Sequence, residues 1–167
     1  MALSLIVDEN YIREFRDFLE TNSIFHFSPH EILNYNIATN LLKRKKFSIN
    51  TFPPRELWEG CLPTLKIMEK ARAEIGRGMA IYVNSFWRSP EYNAAVGGSS
   101  RSFHKQFKAG DFSPSGCTPF QLYEYLNNKL DSRGWGIALY VNKNFVHLDC
   151  RGVNGDTSRA YREIRRD

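Results

Sequence analysis

Two of the four histidines in this 167-residue chain stand in company that could do chemistry. His104 lies seven residues before Asp111, in Ser102-Phe103-His104-Lys105-Gln106-Phe107-Lys108-Ala109-Gly110-Asp111. His147 lies in the alternating stretch Asn144-Phe145-Val146-His147-Leu148-Asp149. Successive side chains of a strand point to opposite faces, so His147 and Asp149 share one face while Val146, Leu148 and Cys150 take the other. Two imidazoles and a carboxylate are a sufficient protein set for catalytic zinc, with a fourth position left for water. Taken alone the pattern stays open, because a histidine in a strand is more often a hydrogen-bonded structural residue and a His-x6-Asp spacing recurs by chance.

Periodicity predicts the elements that must position these residues. Apolar Tyr11, Ile12, Phe15, Phe18 and Leu19 recur at helical spacing within Asp8 to Glu20. Ser28-Pro29-His30-Glu31 is a capping box with proline at the first helical position. Lys43 to Pro54 reads as a loop, followed by one long helix from Arg55 to about Ile75 that Pro63 bends and Gly76 and Gly78 end. The period then changes. Ala80 to Ser85 reads as a strand, Ser89-Pro90-Glu91 as a helix start, Gly97 to Arg101 as a flexible Gly/Ser loop and Ala109 to Ser113 as a short strand. Thr118 caps a helix to Leu130, and Gly136 to Val141 and Phe145 to Cys150 form a hairpin around Asn142-Lys143-Asn144. Helices first and strands later give an α+β class, N-terminal helices followed by a small antiparallel sheet.

Length and composition set outer bounds. A chain of 167 residues with 42% hydrophobic and 25% charged residues is long enough for one domain with a real core, spanning 1–167. No run approaches eighteen apolar residues, which argues against a transmembrane helix. The apolar stretch Met1 to Val7 lacks a basic leader and runs straight into Asp8-Glu9, so it does not read as a signal peptide and cytoplasmic synthesis is expected. Cys61, Cys117 and Cys150 are odd in number and form no CxxC pair, which favours buried or idle thiols over a disulfide framework. The net charge of +5 suits an anionic partner, either nucleic acid or a cell wall, with much of it in Lys43-Arg44-Lys45-Lys46 and in the tail Arg159 to Arg166. A solvated basic face explains such short runs as well, which argues against specific nucleic-acid binding. His26 and His30 stand four apart, but Ser28-Pro29 starts a helix between them, so surface positions are expected. Trp58, Trp87 and Trp135 read as core or pocket-wall aromatics.

The stretch Ser85-Phe86-Trp87-Arg88-Ser89-Pro90-Glu91-Tyr92-Asn93-Ala94-Ala95-Val96-Gly97-Gly98, running through Ser102-Phe103-His104, narrows the reading. It resembles a signature of the zinc D-Ala-D-Ala carboxypeptidase-like family, which includes D-Ala-D-Ala dipeptidases, phage L-alanyl-D-glutamate endolysins and, more distantly, the Hedgehog signalling domain. That pattern runs Ser-Gly-Tyr-Arg-Ser, a Gly/Ser loop, Ser-x-His-x-x-Gly-x-Ala-x-Asp, and a final His on a strand. "Asn-Ala-Ala-Val-Gly-Gly" and "Phe-Val-His-x-Asp" are common in its phage and prophage branch. The lead-in Phe27-Ser28-Pro29-His30-Glu31-Ile32-Leu33 and Pro53-Pro54 extend the likeness, which covers residues 27–152 and leaves 1–25 as an N-terminal helical extension.

The resemblance implies one zinc ion per chain, held by His104, Asp111 and His147, and hydrolysis of peptide bonds in bacterial cell-wall stem peptides. It further implies that Arg88 holds the substrate carbonyl and stabilises the oxyanion as water attacks. Ser102 matches the family's serine and orients the loop before His104, or simply stabilises a turn. Two departures stand out. The family's glycine three residues after the first His is Phe107 here, with Gly110 nearby. Its general base, three residues before the last His, is Asn144, which cannot accept a proton at neutral pH. Asp149 is the natural substitute, either as base or as a partner that orients a ligand. A phage lysin or virion-associated protein acting at the cell wall is the leading expectation, with the stem peptide and other phage proteins as partners and no membrane. The alternative is a catalytically silent zinc-binding component of a phage particle.

Overall fold

Aspartate, serine and threonine caps start most of the helices among the described residues, each offering a side-chain oxygen to the first free N–H groups. The computed structural model describes residues 8–34, 50–76, 80–130, 134–153 and 161–166. Helix α1 (Glu9–Thr21) begins where the Asp8 carboxylate accepts from the Tyr11 amide, and it buries Tyr11, Ile12, Phe15 and Leu19 on one stripe. Helix α2 (Pro29–Leu33) has the expected capping box, with Ser28 and Glu31 each satisfying the other's backbone N–H. The segment from Arg55 departs from the expected single bent helix. It is a 3-10 helix, η1 (Arg55–Cys61), running into α3 (Leu62–Gly76). Pro63 therefore sits in the first turn of α3, where its missing N–H costs no hydrogen bond, and not in the middle of a long helix. Lys43 to Ile49 of the expected loop, and Gly78, lie outside the described residues.

Strand β1 (Ile81–Ser85) leads to α4 (Pro90–Ala95), capped by Ser89, and then to a second 3-10 turn, η2 (Phe103–Gln106), which sequence periodicity did not indicate. Strand β2 (Ala109–Pro114) follows, then α5 (Pro119–Lys129), whose capping box joins Thr118 and Gln121. Strands β3 (Gly136–Tyr140) and β4 (Phe145–Asp149) form the expected hairpin, with Asn144 in the left-handed region at φ 58°. A fifth strand, β5 (Tyr161–Arg165), lies within the tail that was read only as a basic run.

The strands form one sheet in the order β1-β2-β4-β3-β5. Three pairings are antiparallel, as expected, and β5 adds a parallel pairing with β3. One face is apolar. Phe112, Ile137, Leu139, Val146 and Leu148 pack from it into a core shared with Phe15, Leu65, Met68, Leu122 and Leu126, all but Leu139 fully buried. Trp58 and Trp87 are buried in this core and Trp135 packs against it. Cys61 and Cys150 are buried free thiols and Cys117 is a half-buried one. His26 and His30 are both exposed, and His26 Nδ1 contacts Glu69. Among the described residues no helix is long and apolar enough to cross a membrane.

Candidate metal centre

The other face of the sheet holds the polar residues. Strand register puts Ser85 opposite Asp111, Asp111 opposite His147, His147 opposite Ala138, and Ala138 opposite Glu163, a row that crosses all five strands. Antiparallel neighbours on one face bring their Cβ atoms within about 5.5 Å, so Asp111 and His147 meet by register alone. His104 joins them from η2. Ser102 caps that turn, its hydroxyl accepting from the His104 amide at 3.3 Å.

Asp111 Oδ1 lies 2.8 Å from His147 Nδ1 and 3.4 Å from His104 Nε2. One donor atom from each of the three residues lies within 4.8 Å of the others. Tetrahedral zinc with ligands near 2.0–2.1 Å separates them by about 3.3 Å, so modest closure around an ion gives a fitting cage. The outward ring nitrogens are already engaged. His104 Nδ1 lies 2.6 Å from the Phe86 carbonyl, and His147 Nε2 lies 3.2 Å from Asp149 Oδ2. An N–H donated outward on each ring leaves the inward nitrogen with a lone pair, the arrangement that orients metal-ligating histidines.

Burial pushes the His104 imidazole below its ordinary pKa, although Asp111 pulls the other way. Burial also opposes charge on His147, but hydrogen bonds to Asp111 and Asp149 outweigh it and raise its pKa to about 9. For Asp111, burial is overcome by the two histidines, and its carboxyl is held well below the usual range. Asp111 is thus held in the carboxylate form that a metal ligand needs.

Arg88 reaches the same place. Its Nη2 donates to Asp111 Oδ2 at 2.7 Å and its Nε to the Ser85 hydroxyl at 2.9 Å. Asp149 has no exposed surface. Arg151 Nε donates to its Oδ1 at 2.7 Å and Nη2 to its Oδ2 at 2.6 Å. Burial works against the Asp149 charge, yet Arg151 and His147 hold its pKa down to about 2. Asn144 is exposed in its turn, where its backbone carbonyl accepts from Ser113 Oγ at 3.0 Å.

The departure at Phe107 has a backbone reason. Phe107 follows η2 in the left-handed region at φ 58°, a conformation that glycine adopts without penalty. The backbone shape that favours glycine is kept, and the phenyl ring is fully buried against Phe86, Trp87 and Phe15. Gly110 is required for a different reason: a Cβ there would meet the Phe112 ring at 2.5 Å and Phe86 at 2.7 Å.

The centre opens into a cavity of about 1210 Å³, bordered by the Gly/Ser loop Gly97 to Ser102 on one side and by Tyr140, Tyr161 and Glu163 on the other. Sequence reasoning singled out Arg88, Ser102, His104, Asp111, His147 and Asp149, and all six line it. It missed Arg151, which strand alternation past Asp149 could have placed on the same face, and Tyr161, for which no local signal exists. A family model described as Peptidase M15 matches residues 31–149. No curated protein matches the chain.

Proposed function

Because the chain belongs to the peptidase M15 family of zinc-dependent metallopeptidases, we propose that it hydrolyses peptide bonds in peptidoglycan stem peptides at the His104–Asp111–His147 centre. The observation that carries this reading is the convergence of one donor atom from each of the three residues beside an open cavity that Arg88 also lines. Zinc held there would supply a Lewis acid that polarises the substrate carbonyl and activates water. The residues of the chain do the rest. His104, Asp111 and His147 would hold the ion, with His104 fixed from behind by the Phe86 carbonyl. The Arg88 guanidinium offsets negative charge that develops on the carbonyl oxygen as the carbon becomes tetrahedral. Ser102 keeps the His104 turn in shape. Asp149 orients His147 and does not act as the base, because Arg151 already occupies both of its oxygens.

A phage lysin or virion-associated enzyme acting at the cell wall is the setting we favour, since a net charge of +5 suits an anionic wall. Whether it trims as a carboxypeptidase or cuts as an endopeptidase depends on the Gly/Ser loop and the β5 side of the cavity. The second reading is a zinc-binding component of a phage particle without turnover. It is favoured by one observation: Asn144 is an exposed turn residue and Asp149 is buried under Arg151, so neither offers a free carboxylate.

Metal analysis of the purified chain beside His104→Ala, with release of muropeptides from isolated peptidoglycan, tests the proposal. About one zinc per chain, lost in the variant together with cleavage, is expected. Zinc without cleavage of any peptidoglycan supports the second reading, and wild-type protein that binds no zinc overturns both.

A further inference from the structure

Residues beyond 149 lie outside the family match, yet they close one side of this centre. Strand β5 pairs with β3 so that Gly136 stands opposite both Asp149 on β4 and Tyr161 on β5. A Cβ on Gly136 would come within 2.4 Å of Asp149 Oδ2, 2.6 Å of Arg151 Nη2 and 2.6 Å of the Tyr161 ring. The missing side chain leaves a slot on the polar face, and the Arg151 guanidinium fills it.

Two aromatic rings hold that guanidinium. Its Cζ lies 4.2 Å from the Tyr161 ring centroid and 4.9 Å from that of Phe103, the first residue of the turn that carries His104. Cation–π contacts of this kind strengthen when they are shielded from water, and the Arg151 side chain is only 17% exposed. From this position the planar fork donates to both oxygens of Asp149 and fixes the rotation of the carboxylate. Asp149 Oδ2 then faces His147 Nε2, and the opposite nitrogen of the ring is turned towards Asp111.

We infer that Arg151, clamped between Tyr161 and Phe103, is a positioning residue for the metal ligand His147, and that strand β5 completes the centre by delivering Tyr161. This rests on the reading of His104, Asp111 and His147 as zinc ligands. The chain of contacts runs from β5 through Arg151 and Asp149 to one ligand, while Phe103 ties the same clamp to the turn of another. Lysine cannot replace Arg151, because an ammonium lacks the fork that meets two carboxylate oxygens at once. Phenylalanine at position 161 keeps the ring that packs on the guanidinium and gives up only the hydroxyl.

The test measures zinc affinity of the full chain by competition with a chromophoric chelator, and records the visible spectrum of the cobalt-loaded protein as a report on ligand geometry. Arg151→Gln and Arg151→Lys are each expected to bind zinc about 10–100-fold more weakly, with an altered cobalt spectrum. Tyr161→Ala should fall in the same direction, and Tyr161→Phe should match wild type. Thermal melting of the metal-free forms identifies any variant that fails to fold. Should Arg151→Gln be one, Arg151→Lys and the Tyr161 pair decide. Wild-type affinity and spectrum in folded Arg151→Lys and Tyr161→Ala would overturn the clamp while leaving the zinc reading intact, and equal losses in Tyr161→Phe and Tyr161→Ala would overturn the role of the ring. A wild-type protein that binds no zinc overturns the metal reading, and the clamp with it.

Discussion

Oδ2 of Asp149 lies 3.2 Å from Nε2 of His147, across the imidazole from the nitrogen that faces Asp111. A carboxylate in that place acts on the ligand's orientation and not on the attacking water. Asp149→Asn therefore should weaken zinc binding about 10–100-fold yet keep measurable turnover once zinc is saturating. A zinc titration followed by kcat at saturation checks this; no turnover at full zinc occupancy would make Asp149 the base.

Arg88 is held at two points, by Ser85 and by Asp111. Arg88→Lys cannot keep both contacts and loses the planar donor at the developing oxyanion. We expect kcat on peptidoglycan fragments to fall about 100–1000-fold, with zinc content by elemental analysis unchanged. Loss of zinc in step with activity would mean that the arginine serves the ligand Asp111 alone.

Phe107 combines a left-handed backbone with a fully buried ring. Phe107→Ala removes the packing and keeps the backbone penalty, at a cost of about 3–5 kcal/mol. Phe107→Gly removes the packing too but relieves the backbone, so it should be more stable than the alanine variant by about 1 kcal/mol. Urea melts of the three proteins decide it, and an alanine variant at least as stable as the glycine one would refute the strain argument.

Part of the alkaline stability comes from two tyrosines outside the centre. Burial pushes Tyr11 up to about 12, against the pull of its Trp58 hydrogen bond and of Arg55, and burial and Glu74 push Tyr125 up to about 12. The unfolded chain releases these protons near pH 10, earlier than the folded one. The stabilisation is therefore complete below about pH 10 and is lost as pH rises towards 12. The Tyr11 share of the urea midpoint should hold to about pH 10 and then fall, so above pH 10 the midpoint should drop less steeply in Tyr11→Phe than in wild type; equal slopes in the two proteins would remove Tyr11 from the account.

What was legible in the sequence was local. The capping box at Ser28, the cap at Thr118 and the alternation in Phe145 to Asp149 fix their elements within a few residues, and the structure has them. The meeting of His104, Asp111 and His147 within 4.8 Å was implied by the family resemblance alone, because spacing does not reveal the register that sets Asp111 opposite His147. Two features were not legible for physical reasons. The turn η2 ends on a residue whose backbone favours glycine but whose identity is phenylalanine, so the usual punctuation is hidden by a packing requirement. Strand β5 pairs in parallel with a strand some 25 residues earlier, Tyr161 opposite Gly136, and its basic residues read as solvated charge because the partner that orders them is not local.

The contact of Phe15 with Phe107, 5.8 Å between ring centroids, joins helix α1 to the residue that ends the His104 turn. Phe15 also meets Trp58 at 5.0 Å and is fully buried. A fragment cut to residues 31–149, the extent of the family match, would keep every proposed ligand. It would lose the aromatic prop beneath one of them and, with Arg151 and Tyr161, the support of another. Such a fragment should express as a sticky, poorly ordered protein with an open apolar scar where α1 lay. On this packing the folding unit extends beyond the matched segment on both sides, through α1 at one end and β5 at the other.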